Sequence, residues 1–487
     1  MRLRTLALAV VGAACGPAVP PSEPPAAPPT PAPIAATATP PASAATPSQP
    51  APPADETLEQ RAKRLHAEAI VVDTHNDIPT VLYASGIDLA NPDKRPVHTD
   101  LAKMKAGGIT AEFFSIYVDA SYWEKPTSLG GGAARHALDL IDVTHRQIER
   151  HPDALVLATS AADIRAAKKD GKVAVLMGIE GGHAIENSLS ALRSFHRLGV
   201  RYMTLTHTNT NDWADSAGFS GPPDARHKGL SSFGEDVVRE MQRIGMLVDV
   251  SHVSDDTFWG VMRVAKAPVI ASHSSARALT DHRRNLADDM LVALAKNGGV
   301  AMINFWALLV DAKYAARAGR FFLAHRGELQ KLRGKLHDDV FGFREALDRM
   351  KASEAEPFAR PPLARLVDHI DHVAKVAGVD HVGLGSDFDG VDTLPEGIDG
   401  VDGLPKITEE LVRRGRSDAE VLKILGGNFM RAFEGAEAYA RASKTTLSGD
   451  GNARKLEAKD VPPPSKGAHA KGAPGPTPKG TGPKGAR

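Results

Sequence analysis

The chain has 487 residues, and its 59 Lys plus Arg balance 59 Asp plus Glu, which excludes a partner chosen by bulk charge such as nucleic acid or an anionic surface. One cysteine, Cys15, excludes an intramolecular disulfide framework. The length admits up to about three domains or one large α/β barrel.

The first segment, MRLRTLALAVVGAAC, has two arginines, then a short apolar run, then small residues before Cys15. The run is too short to span a bilayer and has the form of a secretory signal. Residues 1–15 are therefore expected to be a signal peptide. Cys15 stands where a bacterial lipoprotein signal carries its lipidated cysteine, although Gly12 replaces the larger aliphatic residue more usual there. The alternative is an ordinary cleaved signal in which Cys15 is incidental. Either form exports the protein, as a membrane-anchored lipoprotein or as a periplasmic or cell-envelope protein. Residues 16–53 are almost entirely Pro, Ala, Ser and Thr, a composition that cannot bury enough apolar surface to order itself and acts as an extended spacer. Residues 443–487 turn to Lys, Gly and Pro and are expected to be a disordered, mildly basic tail. The folded domain is placed at 54–442.

Inside that domain, short apolar runs alternate with amphipathic stretches, the pattern of a parallel sheet with crossover helices. Strands are expected at residues 69–77, 109–118, 173–182, 202–207, 246–252, 268–273, 300–306 and 381–390. Helices fit near 134–150, 189–199, 233–245 and 363–378, several of them ending in Gly, as a C-terminal cap favours. Eight strands close a (β/α)8 barrel of the TIM type. The charged stretch from 311 to 359, before the eighth strand, is too long for a plain loop and is expected to be a helical insertion.

Six of these eight strands finish in ionisable side chains: His75 with Asp77, Glu180, His207, His252, His273 and Asp387. In a barrel all these ends meet at one face, where active sites of the fold are built. Any one of them has a plainer explanation as a cap or a hydrogen-bonded core histidine. Six converging after apolar runs do not, because each isolated buried charge costs several kcal/mol. Histidines and carboxylates without cysteine are ligand types for zinc or a similar metal. Their number exceeds the four that one structural zinc needs and points to two ions sharing a carboxylate, and so to hydrolysis.

The motifs VVDTHNDIP, KAGGITAEFFSIYV, GIEGGHAI, YMTLTHTNTNDWAD, DVSHVS, PVIASHSSARALTDHRRN, HVGLGSDFDG and LVRRGRSDAEVLKILGGNF follow one another along the chain. In that order they resemble the signature segments of the membrane dipeptidase (renal dipeptidase) family of zinc peptidases, over about residues 69–433. The resemblance implies two zinc ions per chain, with His75 and Asp77 on one, His252 and His273 on the other, and Glu180 bridging. It implies that His207 contacts the scissile region and stabilises the tetrahedral intermediate, and that Arg284 rather than Arg283 grips the dipeptide carboxylate. Asp387 would move a proton from water to the leaving amine, while Asp389 is structural. A homodimer is also implied, and dipeptides with a C-terminal D-residue are among the candidate substrates.

Two positions depart from the family pattern. Thr80 follows HNDIP where an aromatic residue often lines the pocket, and Trp306 stands where a tyrosine would hydrogen-bond substrate. They keep open a bimetal hydrolase of another small amide or lactam. A non-catalytic surface binding protein on the same fold is the reading from a different class. His66, His136, His145, His325 and His372 lie on helical stretches and are expected at the surface; His183 is divided between supporting the site and a plain loop role.

Overall fold

The computed structural model describes residues 56–92, 96–124, 131–218, 224–336 and 339–444. The expected signal segment, the Pro/Ala-rich spacer and residues 445–487 of the tail lie outside them. Among the described residues nine strands run in chain order: β1 (Val72–Asn76), β2 (Ala111–Tyr117), β3 (Leu155–Leu157), β4 (Val173–Glu180), β5 (Val200–Thr204), β6 (Leu247–Asp249), β7 (Ile270–Ala271), β8 (Val300–Ile303) and β9 (Val382–Leu384). Every pairing is parallel. The strands lie in the order β2-β1-β9-β8-β7-β6-β5-β4, and β2 pairs with β4 from Ala111↔Ala174 to Tyr117↔Glu180, which closes an eight-stranded barrel. The extra strand β3 borders β4 at Val173–Val175, before β5 takes that edge at Met177.

Side chains alternate along each strand between two apolar layers, as a pleated chain with period two requires. Val72, Phe113, Leu176, Tyr202, Leu247, Ile270, Val300 and Met302 share one cluster with Phe429 and Phe433 of the last helix, Asn428–Lys444. Val71, Phe114, Val175, Met203, Val248, Ala301 and Leu384 join the other, packed among the helices. Replacing fully buried Phe433 by Ala would cost about 3 to 5 kcal/mol from lost transfer energy and the cavity left behind.

The expected helices form at Ala133–Arg150, Leu189–Arg197, Ser232–Ile244 and Leu363–Ala377, and the insertion is helical at Ala312–Ala324, Arg326–Lys335 and Val340–Ala352. No described helix is long and apolar enough to cross a membrane. Three expectations need correction. The strands are shorter than the apolar runs: His75 and Glu180 still lie on β1 and β4, but His207, His252, His273 and Asp387 fall beyond the ends of theirs, and His252 and Asp387 have φ of +66° and +67°, which parallel pairing does not accommodate. The strand β3 was not among the eight. His66 and His136 are buried, the first between Thr408 Oγ1 (2.7 Å) and the Gly107 carbonyl (2.8 Å), the second stacked on Tyr122 with ring centroids 3.9 Å apart. Helical periodicity does not reveal that a polar ring has partners inside.

Candidate active site

Parallel closure brings the carboxyl ends of all eight barrel strands to one rim. His75 is the penultimate residue of β1, with Asp77 just beyond it, and Glu180 ends β4. His207, His252, His273, Asn304 and Asp387 follow β5, β6, β7, β8 and β9 by one to three residues. Glu180 is the centre. Its Oε1 lies 3.0 Å from His252 Nε2, 3.3 Å from His273 Nε2 and 3.9 Å from His207 Nε2, and its Oε2 lies 3.6 Å from His75 Nε2. Asp77 Oδ2 approaches the same His75 nitrogen at 3.5 Å.

The far side of each ring explains why these nitrogens converge. Ser272 Oγ donates to Asp249 Oδ2 at 2.6 Å, so it accepts from His273 Nδ1–H at 2.8 Å. That fixes a neutral tautomer whose Nε2 lone pair points at Glu180. His75 Nδ1 is held by Tyr202 Oη at 2.8 Å. Tyr202 fits only because its register partner is Gly178: a Cβ there would lie 2.0 Å from the tyrosine ring.

Burial, reinforced by Arg284, holds His252 well below the ordinary imidazole pKa; burial with His75 nearby does the same for His273. Burial favours the protonated form of Glu180, but the imidazoles of His75 and then His207 outweigh it and hold the carboxyl well below the usual range. Burial raises Asp77, and pushes Asp387 up to about 7 against the attraction of His75.

Several ligand-type atoms have no partner of their own. His75 Nε2, Asp77 Oδ1 and His252 Nδ1 are buried without a hydrogen bond, and the Nε2 atoms of His252 and His273 face each other at 2.9 Å. Lone pairs and carboxylate oxygens crowded together without donors are electrostatically unfavourable until a cation sits among them. Three overlapping groups have their ligand atoms mutually within 4.8 Å: His75, Glu180 and His273; Glu180, His207 and His252; His75, Asp77 and Asp387. The donor set therefore fits metal. These groups overlap: His75 stands in one with Asp77 and Asp387 and in another with Glu180 and His273, and Glu180 shares a third with His207 and His252.

Chain comparisons agree with this geometry. Residues 59–447 match the model of the family described as membrane dipeptidase, peptidase family M19. The chain belongs to that family. Dipeptidase verJ of Clonostachys rogersoniana is 35% identical over 394 residues, covering 79% of this chain and 89% of that protein. The probable dipeptidase PvdM from Pseudomonas aeruginosa superposes with a TM-score of 0.66 at 27% identity, over 79% of this chain and 99% of that one. A metallopeptidase from Rhodobacter sphaeroides, solved with a phosphinate mimic of the dipeptide L-Ala-D-Ala, gives 0.60 at 26% identity, over 76% and 99%. The protein is thus a metallo-dipeptidase, a hydrolase acting on peptide bonds, on the (β/α)8 barrel of the membrane dipeptidase family.

Within this membrane dipeptidase rim, Arg284 is 5% exposed and reaches Ser274 Oγ and the His273 carbonyl, both at 3.3 Å. Burial lowers its pKa to about 10, which leaves the guanidinium charged at neutral pH. Arg283 turns away to the Ala217 carbonyl. His183 is buried with Nε2 at 2.9 Å from the Val118 carbonyl, so it fastens the chain just past β2. Asp389 and His98 exchange two hydrogen bonds through backbone and side chain, both 2.9 Å, which fits a structural part. Thr80 sits half-buried in the first turn of the helix after Asp77, and the Trp306 indole N–H donates to Asp392 Oδ1 at 2.5 Å.

Sequence reasoning missed Tyr202, Ser272, Asp249, Asn304 and Gly390. Asn304 donates from Nδ2 to Asp387 Oδ2 at 2.8 Å. Gly390 leaves room for two carboxylates, since a Cβ there would lie 2.1 Å from Asp77 Oδ2 and 2.6 Å from Asp387 Oδ1. The terminal glycine of SDFDG was the available signal.

Proposed function

We propose that the protein hydrolyses dipeptides, including those with a C-terminal D-residue, at a two-zinc centre held by His75, Asp77, Glu180, His252 and His273. The observation that carries this is the convergence of imidazole nitrogens on Glu180 with buried ligand atoms left unpartnered. Two such ions, when bound, supply a water acidified toward neutrality and polarisation of the scissile carbonyl.

The remaining chemistry belongs to the chain. Asp387, half-buried and raised to about 7, takes a proton from the attacking water and delivers it to the amine nitrogen as the C–N bond breaks. His207, with Nε2 3.9 Å from Glu180 and its ring edge-on to Tyr117, offers a hydrogen bond to the developing oxyanion. Arg284 presents a fork that matches the free carboxylate of a dipeptide and limits substrate length. The Rhodobacter relative bound to a mimic of L-Ala-D-Ala supports including C-terminal D-residues.

A second reading keeps the metals and changes the substrate to another small amide or lactam. Trp306 favours it, because its only side-chain donor is committed to Asp392 and does not replace a substrate-binding tyrosine hydroxyl. Family membership sets the non-catalytic binding reading aside. Export through residues 1–15, lipid on Cys15 and a homodimer complete the proposal. The test is metal analysis of the purified protein beside a panel of L,L- and L,D-dipeptides, N-acyl amino acids and lactams. Two zinc ions with chelator-sensitive dipeptide turnover are expected. Bound zinc with turnover confined to N-acyl amino acids or lactams would transfer the assignment to the second reading.

A further inference from the structure

A continuous line of hydrogen bonds leads from the helical insertion to Asp387. Lys351 of the helix Val340–Ala352 is 7% exposed, and its ammonium pairs with Asp392 Oδ2. The other oxygen, Asp392 Oδ1, accepts from the Trp306 indole N–H at 2.5 Å. The Trp306 backbone N–H donates to Asn304 Oδ1 at 2.6 Å. Since that oxygen is engaged, the amide nitrogen is the end that faces Asp387, and it donates to Oδ2 at 2.8 Å. Each donor in the line meets an acceptor, and the Asn304 orientation follows from Trp306 on its oxygen and from Asp387 and, at 3.5 Å, the His273 carbonyl on its nitrogen.

The segment that carries Asp387 needs such support. Asp387 and Asp389 have φ of +67° and +62°, a left-handed backbone uncommon for residues other than glycine and retained where surroundings enforce it. Beyond Asp392, Thr393 Oγ1 accepts from Tyr314 Oη at 2.7 Å, and the Thr393 carbonyl accepts from the Ala307 N–H at 2.9 Å. Arg344 of the same insertion helix donates to the Asp389 carbonyl. Arg360 holds the carbonyls of Leu394, Pro395 and Ile398 at 2.9, 2.6 and 2.6 Å. The strained turn is therefore gripped along its length from the insertion side. The outer end of the line borders a cleft of about 610 Å³, lined by Lys351, Phe358, Arg360, Asp392 and Thr393 among others.

We infer that Lys351, Asp392 and Trp306 are positioning residues for catalysis: through Asn304 they orient the Asp387 carboxylate toward the substrate's leaving nitrogen, which makes the insertion part of the catalytic apparatus. The inference rests on the proton-transfer role proposed for Asp387. It also gives Trp306 a task, holding Asp392 rather than contacting substrate.

The experiment uses the full chain loaded with metal and a turned-over dipeptide. Trp306→Phe removes one N–H and no charge. Lys351→Met combined with Asp392→Asn removes the ion pair without leaving one charge buried alone. The reference in the same assay is Asp387→Asn. Each positioning variant is expected to lower kcat by about fivefold, the rate equivalent of one neutral hydrogen bond, with KM within about twofold and metal content unchanged. The triple variant is expected to fall no further than the weaker of its parents, because residues in one line are not additive. If Lys351→Met with Asp392→Asn does not fold, Trp306→Phe alone decides. Wild-type kcat in Trp306→Phe, or a change confined to KM, while Asp387→Asn is inactive, would overturn the positioning role and leave the function intact. Activity retained in Asp387→Asn would overturn both.

Discussion

Replacing Asp387 by Asn isolates proton transfer from every other contribution of the site. Asparagine has the same shape and accepts the left-handed backbone at φ +67° readily. Its amide oxygen can still receive the Asn304 hydrogen bond of 2.8 Å, so no buried donor loses its partner. Folding stability should change by less than about 1 kcal/mol, since a half-buried carboxylate, already raised to about 7, is exchanged for a neutral group. What disappears is a group able to accept and return a proton beside Asp77 and Glu180. General acid–base catalysis contributes about 10²- to 10⁴-fold, or roughly 3 to 5 kcal/mol of barrier. The expected outcome is a fall of that size in kcat for dipeptide hydrolysis, followed by amine release, with unchanged KM, zinc content and melting temperature. Loss of zinc along with activity would make Asp387 a ligand, as its grouping with His75 and Asp77 permits. Residual kcat above about a tenth of wild type would refute the proton-transfer argument.

Arg284→Lys keeps a charge but loses the fork, and kcat/KM for dipeptides should fall about 10- to 100-fold, the equivalent of a charged hydrogen bond. The loss should be absent for dipeptide amides, which lack the carboxylate, and equal losses on both would remove Arg284 from substrate binding. Gly390→Ala forces a Cβ to 2.1 Å from Asp77 Oδ2 and 2.6 Å from Asp387 Oδ1, so activity should drop at least about tenfold, and zinc affinity with it, while the barrel still folds. Near-native kinetics in that variant would contradict the packing described.

His369 supplies a pH prediction. It is 1% exposed, accepts from the Ala276 N–H at 3.0 Å, donates to the Val310 carbonyl at 3.1 Å, and burial lowers its pKa to about 4. The unfolded chain therefore binds the proton first as pH falls below about 6.5, so stability is full above that value and is lost toward pH 4. At pH 5 the loss from His369 alone is about 2 kcal/mol. Denaturant titrations at pH 5 and 8 should show that difference shrink in His369→Gln, and an unchanged difference would reject it.

The barrel was legible because period-two alternation and helical spacing are local signals that pack the same way wherever they occur. The run VVDTHND reads as a strand through residue 77, yet the ladder ends at Asn76 and the chain at once begins the helix Ile78–Ser85. Periodicity records burial, and burial continues past the last strand hydrogen bond. Strand β3 is only three residues long and gains its order from the edge of β4, so nothing in its own sequence announces it. The ligand-type residues were legible for a different reason: an ionisable group at the end of an apolar run is costly unless something pairs with it.

The residues around those ligands carry no such mark. Tyr202, Ser272 and Asn304 are ordinary strand or strand-end residues by composition, and their importance lies in a hydrogen bond to one ring or carboxylate across the barrel. Trp306 shows how this changes an inference. From the sequence alone it is a tyrosine lost from the substrate pocket, which argues for altered specificity. In the fold its N–H is bound to Asp392, its backbone N–H orients Asn304, and the residue links the insertion, through Asn304, to Asp387. The 311–359 insertion, featureless as charge pattern, thereby contributes Lys351 to the same line of contacts as Asp387. A side chain that departs from the family pattern is then explained by what it holds, and the hydroxyl it does not supply, together with Thr80, is what bears on the substrate.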